Sequence, residues 1–422
     1  MESAKKVRQI IITLIMISVA SQGNAMQPKL PLQFIEKQSN FLLSCIDSAL
    51  LKPASWDKYA NSKKFKLVTP RSLEDNGLLR LVPSNDWCSG FLPGNLWYIS
   101  ELTGNKKWEK SADEFTLKIE PEKTNATTHD MGFKMLCSFG NGYRITNNEN
   151  YKNILVQSAY TLIKRFNTKT GAILSWDHSR DKWVNPVIID NMMNLELLFY
   201  AFHHTNDSLF YKIAVSHANV TMKNHFREDY SCYHVVDYNP ETGEVLKKTT
   251  HQGLNDSSSW SRGQGWALYG FVMMYRETND LKYLKFAENI AAFILNHKNL
   301  PADKIPYFDF DAPAAKSTPR DVSAGALIAS ALYEFSSFPT AKANYYRKFA
   351  DTIINSLNKF YLSDYMANKG FLLTQSTGSF PSNSEVNVPL IYADYYYLEA
   401  LVRNKSLKEK GKIEFNTKKI SK

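Results

Sequence analysis

The stretch Ser257–Phe271, with the sequence SSSWSRGQGWALYGF, joins a polar, loop-forming start to an apolar run at helical spacing. The serines before the run are candidate N-caps, so this pattern predicts a loop that leads into a helix. The glycines let a ligand approach the backbone, and Arg262 beside Trp266 could hold an anionic, ring-shaped ligand at the helix mouth. A tight helix start, with tryptophan in the core and Arg262 in an ion pair, explains the same residues. This stretch alone leaves both interpretations open.

Apolar spacing of this kind recurs along the chain and predicts about twelve helices. Short turns such as TGNKKW (103–108) and ETNDLKY (277–283) alternate with long polar loops. Helical hairpins with short turns at one end and long loops at the other predict an all-α (α/α)6 barrel of about six hairpins. Its inner helices are expected to begin near residues 89, 130, 190, 265, 322 and 388. Only residues 232–253 alternate like a β-hairpin, with a turn at Asn239–Gly243, and they predict a small β excursion.

The composition is that of a well-packed protein with a basic surface. Hydrophobic residues make up 44% of the 422 residues, charged residues make up 22%, and the formal net charge is +10. A basic surface attracts anions. The basic residues are scattered, however, and form no nucleic-acid-binding motif, so no nucleic-acid partner is predicted. An acidic small molecule or an anionic sugar fits the charge equally well.

The N-terminus resembles a secretory signal. Lys5, Lys6 and Arg8 precede an apolar run over 10–20, and small residues follow at 23–25. We therefore expect a signal peptide over 1–25, whose apolar run is too short for a membrane span, and an exported, soluble protein in the periplasm or the medium. No later stretch predicts a membrane span. Because no Pro/Gly/Ser-rich linker divides the remainder, one domain over 26–405 and a charged tail over 406–422 are predicted.

Motifs for metals and cofactors are not found in the sequence. The four cysteines are far apart and show no CxxC spacing, which favours buried free thiols over a disulfide framework. The chain carries no HExxH motif, nucleophile elbow, phosphate-binding loop or dinucleotide fingerprint. We predict neither a metal nor a cofactor.

Carboxylates stand at the predicted starts of several inner helices, where they would converge on one mouth of the barrel. Asp86, Asp130 and Asp321 are as well explained as helix N-caps. Asp190 differs, because it lies in the apolar run IIDNMM, and an apolar setting raises the pKa of a carboxyl group. Carboxylates near aromatic rings and polar donors are typical of sugar chemistry. The further candidates at this mouth are Trp87, His129, Trp176, Gln252, Arg262 and Trp266.

Six stretches, taken together, resemble the unsaturated glucuronyl hydrolases of glycoside hydrolase family 88. They are THDMGF (128–133), IIDNMMN (188–194), HQG (251–253), SSWSRGQGWALYG (258–270), RDVSAGA (320–326) and YADYYYLEAL (392–401). The resemblance implies release of an unsaturated uronate from lyase-made oligosaccharides by hydration of its C4=C5 double bond. The related unsaturated rhamnogalacturonyl hydrolases usually have asparagine where this chain has Gln264, so the sequence favours the glucuronyl group.

The resemblance also implies roles for single residues. Asp190 matches the catalytic acid and base, and Asp130 matches a second essential carboxylate, with His129 beside it. The positions implied to contact or stack on substrate are Gln252, Arg262, Trp266, Trp87 and Trp176. The expected partners are oligosaccharides that end in an unsaturated uronate, and the expected state is a monomer or weak dimer. A rhamnogalacturonyl hydrolase, a catalytically silent sugar-binding barrel and a basic adhesin stay open as alternatives.

Overall fold

The computed structural model describes residues 32–51, 66–413 and Phe415, and the predicted signal peptide lies outside the described residues. Helices form where the apolar spacing predicts them. They are α1 (Leu32–Leu51), α2 (Phe91–Thr103), α3 (Lys107–Leu117), α4 (Gly132–Gly140), α5 (Asn141–Thr146), α6 (Glu149–Ile163), α7 (Leu195–Thr205), α8 (Ser208–Asn224), α9 (Ser261–Thr278), α10 (Leu281–Asn296), α11 (Val322–Phe335), α12 (Ala343–Phe360) and α13 (Ile391–Lys410).

The helices form two concentric layers. The inner layer is α2, α4 with α5, α7, α9, α11 and α13, and each of these packs on its neighbour along the chain. Helix α13 packs against α2, which closes the ring and confirms the predicted (α/α)6 barrel. Burial separates the layers, because every residue of α11 is buried whereas α12 buries one face at positions 346, 349, 350, 353, 354 and 357. An inner helix is enclosed on all sides, and an outer helix only on one.

One recurring turn forms three of the short connections between inner and outer helices. Thr-Asn-Asn (146–148), Thr-Asn-Asp (205–207) and Thr-Asn-Asp (278–280) each place their central asparagine in the left-handed region, with φ of 55°, 59° and 56°. The last residue of each then caps the next helix through its side chain. Asparagine tolerates this backbone conformation, and Asn or Asp is a favoured N-cap. The sequence therefore specifies these turns locally.

The strands lie in the long connections and form small antiparallel sheets. They are β1 (Leu67–Leu73), β2 (Leu79–Pro83), β3 (Phe166–Asn167), β4 (Ala172–Ile173), β5 (Pro186–Ile188), β6 (Val235–Tyr238), β7 (Val245–Thr249), β8 (Ser376–Ser379) and β9 (Ser384–Val388). The predicted hairpin at 232–253 is confirmed as β6–β7, and β5 pairs with β6 to complete a sheet of three. The hairpins β1–β2 and β8–β9 were not predicted, because their short strands carry little apolar alternation.

Several predicted boundaries shift. Helix α9 begins at Ser261, four residues before the expected start at 265, so Arg262 and Gln264 are helical. Helix α13 runs to Lys410 and crosses the predicted limit at 405, and the division into leader, barrel and tail stays a prediction. The four cysteines are unpaired, as expected; two are buried and two are half-buried. Among the helices of the described residues, none has both the length and the apolar character that a bilayer crossing requires.

Candidate active site

A cavity of about 580 Å³ opens where the inner helices begin. It brings together seven of the eight predicted site residues, namely Trp87, His129, Asp130, Trp176, Asp190, Gln252 and Arg262. Asp130 stands two residues before α4, Asp190 stands in the helical turn before α7, and Arg262 is the second residue of α9. Since inner helices that start on one rim direct their first residues to one mouth, the convergence follows from the barrel. The cavity also contacts β1, β8 and β9, which the sequence did not place there.

Asp190 lies in a single 3-10 turn, Ile189–Asn194, between β5 and α7. Its side chain caps no helix and is only 13% exposed. Burial raises the pKa of this carboxyl to about 7, the positive charge of Arg262 opposes that rise, and the charge of Asp130 adds to it. Asp190 can therefore hold or release a proton near neutral pH.

His234 faces Asp190 and was missed by the sequence analysis. Its Nε2 lies 3.6 Å from Oδ2 of Asp190. Its Nδ1 accepts the backbone N–H groups of His251 and Gln252, both at 3.2 Å, which places the ring proton on Nε2, toward Asp190. Burial lowers the pKa of His234 well below its ordinary value, so the ring is neutral. Strand pairing brings it here, because β6, which starts at the next residue, pairs with β5, which ends two residues before Asp190.

Asp130 has two local polar contacts. Thr128 Oγ1 donates to its Oδ2 at 2.6 Å, and His129 Nε2 lies 3.2 Å from its Oδ1. The side chain is 17% exposed and forms no hydrogen bond to the helix that follows, so it is not acting as an N-cap. Burial lowers the pKa of His129. The neutral imidazole of His129 thus lies beside this carboxylate.

Arg262 lines the cavity and forms a buried ion pair, which confirms the ion-pair interpretation, whereas its contact with a ligand stays a prediction. It is 1% exposed and donates to Asp321 Oδ2 at 2.7 Å, and to the Thr377 and Gly378 carbonyls at 2.5 and 2.7 Å. Asp321 in turn caps α11 by accepting the first backbone N–H groups of that helix, which confirms the N-cap interpretation for this residue. Arg262 thus ties α9, α11 and β8 together at the mouth.

Gln252 and Glu385 hold the β8–β9 hairpin against the cavity. Gln252 Nε2 donates to the Gly378 carbonyl at 2.8 Å, the same oxygen that Arg262 contacts. Glu385 on β9 accepts two hydrogen bonds from Arg71 at 2.6 and 2.8 Å. Burial would raise the pKa of Glu385, but Arg71 and neighbouring donors lower it to about 2. A Cβ at Gly378 would lie 2.6 Å from the Glu385 carboxylate, so glycine is required for this close approach.

Two half-buried indoles line the cavity in separate aromatic clusters. Trp87 contacts Tyr392 and Phe133, with ring centroids 4.8 and 5.4 Å away. Trp176 lies 5.3 Å from both His178 and His251. Indoles held by packing of this kind offer rigid faces on which a sugar ring can stack.

Trp266 is not at the cavity surface, which corrects its predicted contact with substrate. It is fully buried between Phe133 and Tyr396, with ring centroids 5.2 and 5.3 Å away. Helix α9 begins four residues earlier than predicted, so position 266 lies a full turn below the mouth. The indole N–H still acts on Asp190, because it lowers the pKa of that carboxyl. Trp266 therefore belongs to the layer beneath the cavity.

No three His, Cys, Asp or Glu side chains of the described ranges converge in an arrangement that could hold a metal ion. The cavity instead combines three carboxyl groups, the imidazole of His129, two guanidinium groups and two indoles. Such a set can bind a sugar ring and move a proton to or from it.

Comparison with known proteins supports this chemistry. The sequence profile of Glycosyl Hydrolase Family 88 matches residues 61–334, more than half of the chain. An unsaturated glucuronyl hydrolase of Formosa agariphila is 44% identical over 401 residues, which is 94% of this chain and 97% of that protein. An unsaturated chondroitin disaccharide hydrolase of Streptococcus agalactiae is 31% identical over 353 residues, 82% of this chain and 88% of that protein. A crystal structure of an unsaturated glucuronyl hydrolase specific for heparin matches with a TM-score of 0.81 at 44% identity, covering 89% of this chain and 98% of that one.

Proposed function

This chain belongs to Glycosyl Hydrolase Family 88, and we propose that it releases the 4,5-unsaturated uronate from the non-reducing end of lyase-made oligosaccharides. It is a glycoside hydrolase, and its relatives act as glucuronyl or chondroitin disaccharide hydrolases, which supports substrates of the glycosaminoglycan type. The observation that carries the proposal is the Asp190 carboxyl, which has a pKa of about 7 and shares one cavity with Asp130.

The reaction is the hydration of a vinyl ether. A lyase leaves a double bond between C4 and C5 of the terminal uronate, conjugated to its carboxylate. Protonation of C4 generates positive charge at C5, which the ring oxygen stabilises. Water adds at C5 and loses a proton, and the resulting hemiketal opens and releases the next sugar. One proton is donated and one is recovered, so a single carboxyl group can serve both steps.

Asp190 suits both steps. With a pKa of about 7, its protonated form is available to donate to C4 near neutral pH, and the carboxylate that remains can take the proton from water. The neutral His234 ring, whose Nε2 proton faces this carboxyl, stabilises the carboxylate formed after the donation. A buried carboxylate gains more from such a donor than an exposed one would.

The other cavity residues would bind and orient the sugar. Asp130, held by Thr128 and His129, is placed to accept hydrogen bonds from ring hydroxyls. Trp87 and Trp176 provide stacking faces on the cavity wall. The charge of Arg262 favours the uronate carboxylate electrostatically, although its own N–H groups are largely engaged with protein.

The test is turnover of a panel of unsaturated disaccharides made by chondroitin, hyaluronan and heparin lyases. Loss of the ultraviolet absorbance of the conjugated uronate reports hydration directly. We expect wild-type protein to consume at least one of these substrates and Asp190→Asn to consume none. Binding without turnover would instead identify a silent sugar-binding barrel. Failure on the whole panel would refute the proposal.

An unsaturated rhamnogalacturonyl hydrolase is the second candidate, and an unsaturated rhamnogalacturonan disaccharide is therefore assayed beside the panel. Turnover of that substrate alone would favour the second candidate. Gln264 gave the sequence-based preference for the glucuronyl group. In the fold it is fully buried: its Oε1 accepts the Cys232 backbone N–H at 2.9 Å, and its Nε2 donates to the Tyr230 carbonyl at 2.8 Å. Gln264 does not line the cavity, so it does not select substrate by contact. The preference for the glucuronyl group is supported by the relatives instead.

Export and assembly state belong to the same proposal. The basic and apolar start of the chain supports cleavage after Ala25 and a place in the periplasm or the medium. Intact-mass measurement of protein from the native host should show a mature chain that starts at Met26. Light scattering of the purified protein should give a monomer or a weak dimer. The +10 charge motivates an adhesin as a competing role, and steeply salt-dependent binding to a polyanion without turnover would favour it.

A further inference from the structure

The turn that carries Asp190 ends at Asn194, whose side chain reaches the segment that carries Asp130. Asn194 is fully buried, and its Oδ1 accepts the backbone N–H groups of Gly132 at 2.7 Å and Phe133 at 3.2 Å. These are the first N–H groups of α4, which have no carbonyl partner within their own helix. Asn194 therefore caps α4 from a neighbouring segment of the chain.

The same side chain fixes the orientation of His129. Because Oδ1 of Asn194 accepts two N–H groups, the amide nitrogen must face the other way, where His129 Nδ1 lies 3.4 Å from it. The amide donates, so Nδ1 accepts and the imidazole proton is on Nε2. That nitrogen lies 3.2 Å from Oδ1 of Asp130. Hydrogen bonds from Asn194 to α4 and to His129, followed by the 3.2 Å contact of His129 with Asp130, thus connect the Asp190 turn to Asp130.

Gly132 allows the two segments to approach this closely. A Cβ at this position would lie 2.7 Å from the Asn194 Cα, 2.8 Å from its Oδ1 and 3.0 Å from the Met193 carbonyl oxygen. Two of these atoms are backbone, so a larger residue would push the segments apart. Helix α4 is also π-helical over Gly132–Gly140, a widened form that is frequent at functional sites.

We propose that Asn194 and Gly132 are positioning residues, which together set the separation and orientation of Asp130 relative to Asp190. Neither residue lines the catalytic cavity, so both act through the two carboxyl groups and not on the substrate. This inference rests on the proposed function. It adds to that function the two residues that fix the distance and orientation between the carboxyl groups of Asp130 and Asp190.

The distance between Asp130 and Asp190 affects the pKa of Asp190, and this effect can be measured. The charged groups that act on Asp190 are Arg262 on α9 and Asp130 before α4, and the neutral His234 faces it from the β6 side. Burial and the charge of Asp130 raise the pKa of Asp190, whereas Arg262 lowers it. If Asp130 moves away, the pKa of Asp190 falls. The proton donor is then lost at lower pH, and the alkaline limb of kcat moves to lower pH.

The experiment compares Asn194→Asp, Asn194→Ala and Gly132→Ala with the control Asn95→Ala. Asn95 is also a buried asparagine on an inner helix, and its side chain donates to the backbone of a neighbouring helix at Ile391. For the variants at 194 and 132 we expect kcat to fall about 10- to 100-fold with KM nearly unchanged, since displaced catalytic groups lose rate more than binding. We expect the alkaline limb of Gly132→Ala to move to lower pH. Asn95→Ala should lose thermal stability and keep wild-type kcat and pH profile.

Asn194→Asp settles the question if the alanine variants do not fold. It keeps an oxygen for the two N–H groups of α4, where a helix N-terminus stabilises a carboxylate, and it replaces the donor to His129 with an acceptor. The variant should therefore fold while kcat falls. Wild-type kcat and pH profile in Asn194→Asp and in folded Gly132→Ala, with only Tm lowered, would overturn the inference. A wild-type protein that turns over no substrate of the panel would instead overturn the proposed function on which it rests.

Discussion

Replacing Asp190 by asparagine should abolish turnover and, in alkaline solution, stabilise the fold. The two effects have one cause. The side chain is 13% exposed, and burial raises its pKa from an ordinary value of 3.8 to about 7. A raised pKa means that the folded state disfavours the ionised carboxyl. The destabilisation is therefore absent below the pKa of the unfolded chain, grows between the two values and is complete above the pKa of the folded protein.

The size of this destabilisation follows from the difference between the two pKa values. At about 1.4 kcal/mol per pKa unit, the ionised carboxyl destabilises the fold by at most about 4 kcal/mol above neutral pH. Asparagine carries no charge, but its buried amide group still needs hydrogen-bond partners. We therefore expect the free energy of unfolding to rise by about 1–3 kcal/mol at about pH 8 and to change little at about pH 4. In the wild-type enzyme the proton donor is half lost at about pH 7, and kcat should fall about tenfold for each further pH unit.

Two measurements on one purified variant test the reasoning, namely kcat on an unsaturated disaccharide and urea unfolding at both pH values. Asp394→Asn is the matched control. Burial also raises the pKa of Asp394 to about 7, but its carboxylate accepts the backbone N–H groups of Leu372 and Leu373 and does not line the catalytic cavity. The control should keep wild-type kcat. Appreciable turnover by Asp190→Asn, together with lower stability at alkaline pH, would refute the assignment.

Three other substitutions probe the shell around this carboxyl. Arg262→Lys should lower kcat/KM at least about tenfold, because one ammonium cannot reach Asp321 and two carbonyls together; wild-type kinetics would show that Arg262 is only structural. Trp266→Phe removes an N–H group that lowers the pKa of Asp190, so the alkaline limb of kcat should move to higher pH, and an unmoved limb would contradict the pKa assignment. His234→Asn should lower kcat about 10- to 100-fold with KM nearly unchanged, and an unchanged kcat would remove His234 from the site.

The sequence by itself determined the helices and their short turns. Helical spacing of apolar residues and the recurring Thr-Asn-Asx turn act within a few residues, so their signal survives in a single chain. The same holds for Asp190, whose apolar neighbours in IIDNMM already indicated a raised pKa. The resemblance to the family then indicated most of the cavity residues, because they stand in short, continuous motifs at the helix starts that can be recognised in the sequence.

Only the tertiary structure decided which side chains complete the site. His234 reaches Asp190 through the pairing of β5 with β6, and Asn194 reaches Gly132 across two packed segments. Arg71 and Glu385 meet from positions 314 residues apart. The same packing removed Trp266 from the cavity surface, since the point at which α9 begins fixes which of its turns lies at the mouth. These contacts form when the ring of helices closes, and no local pattern in the sequence encodes them.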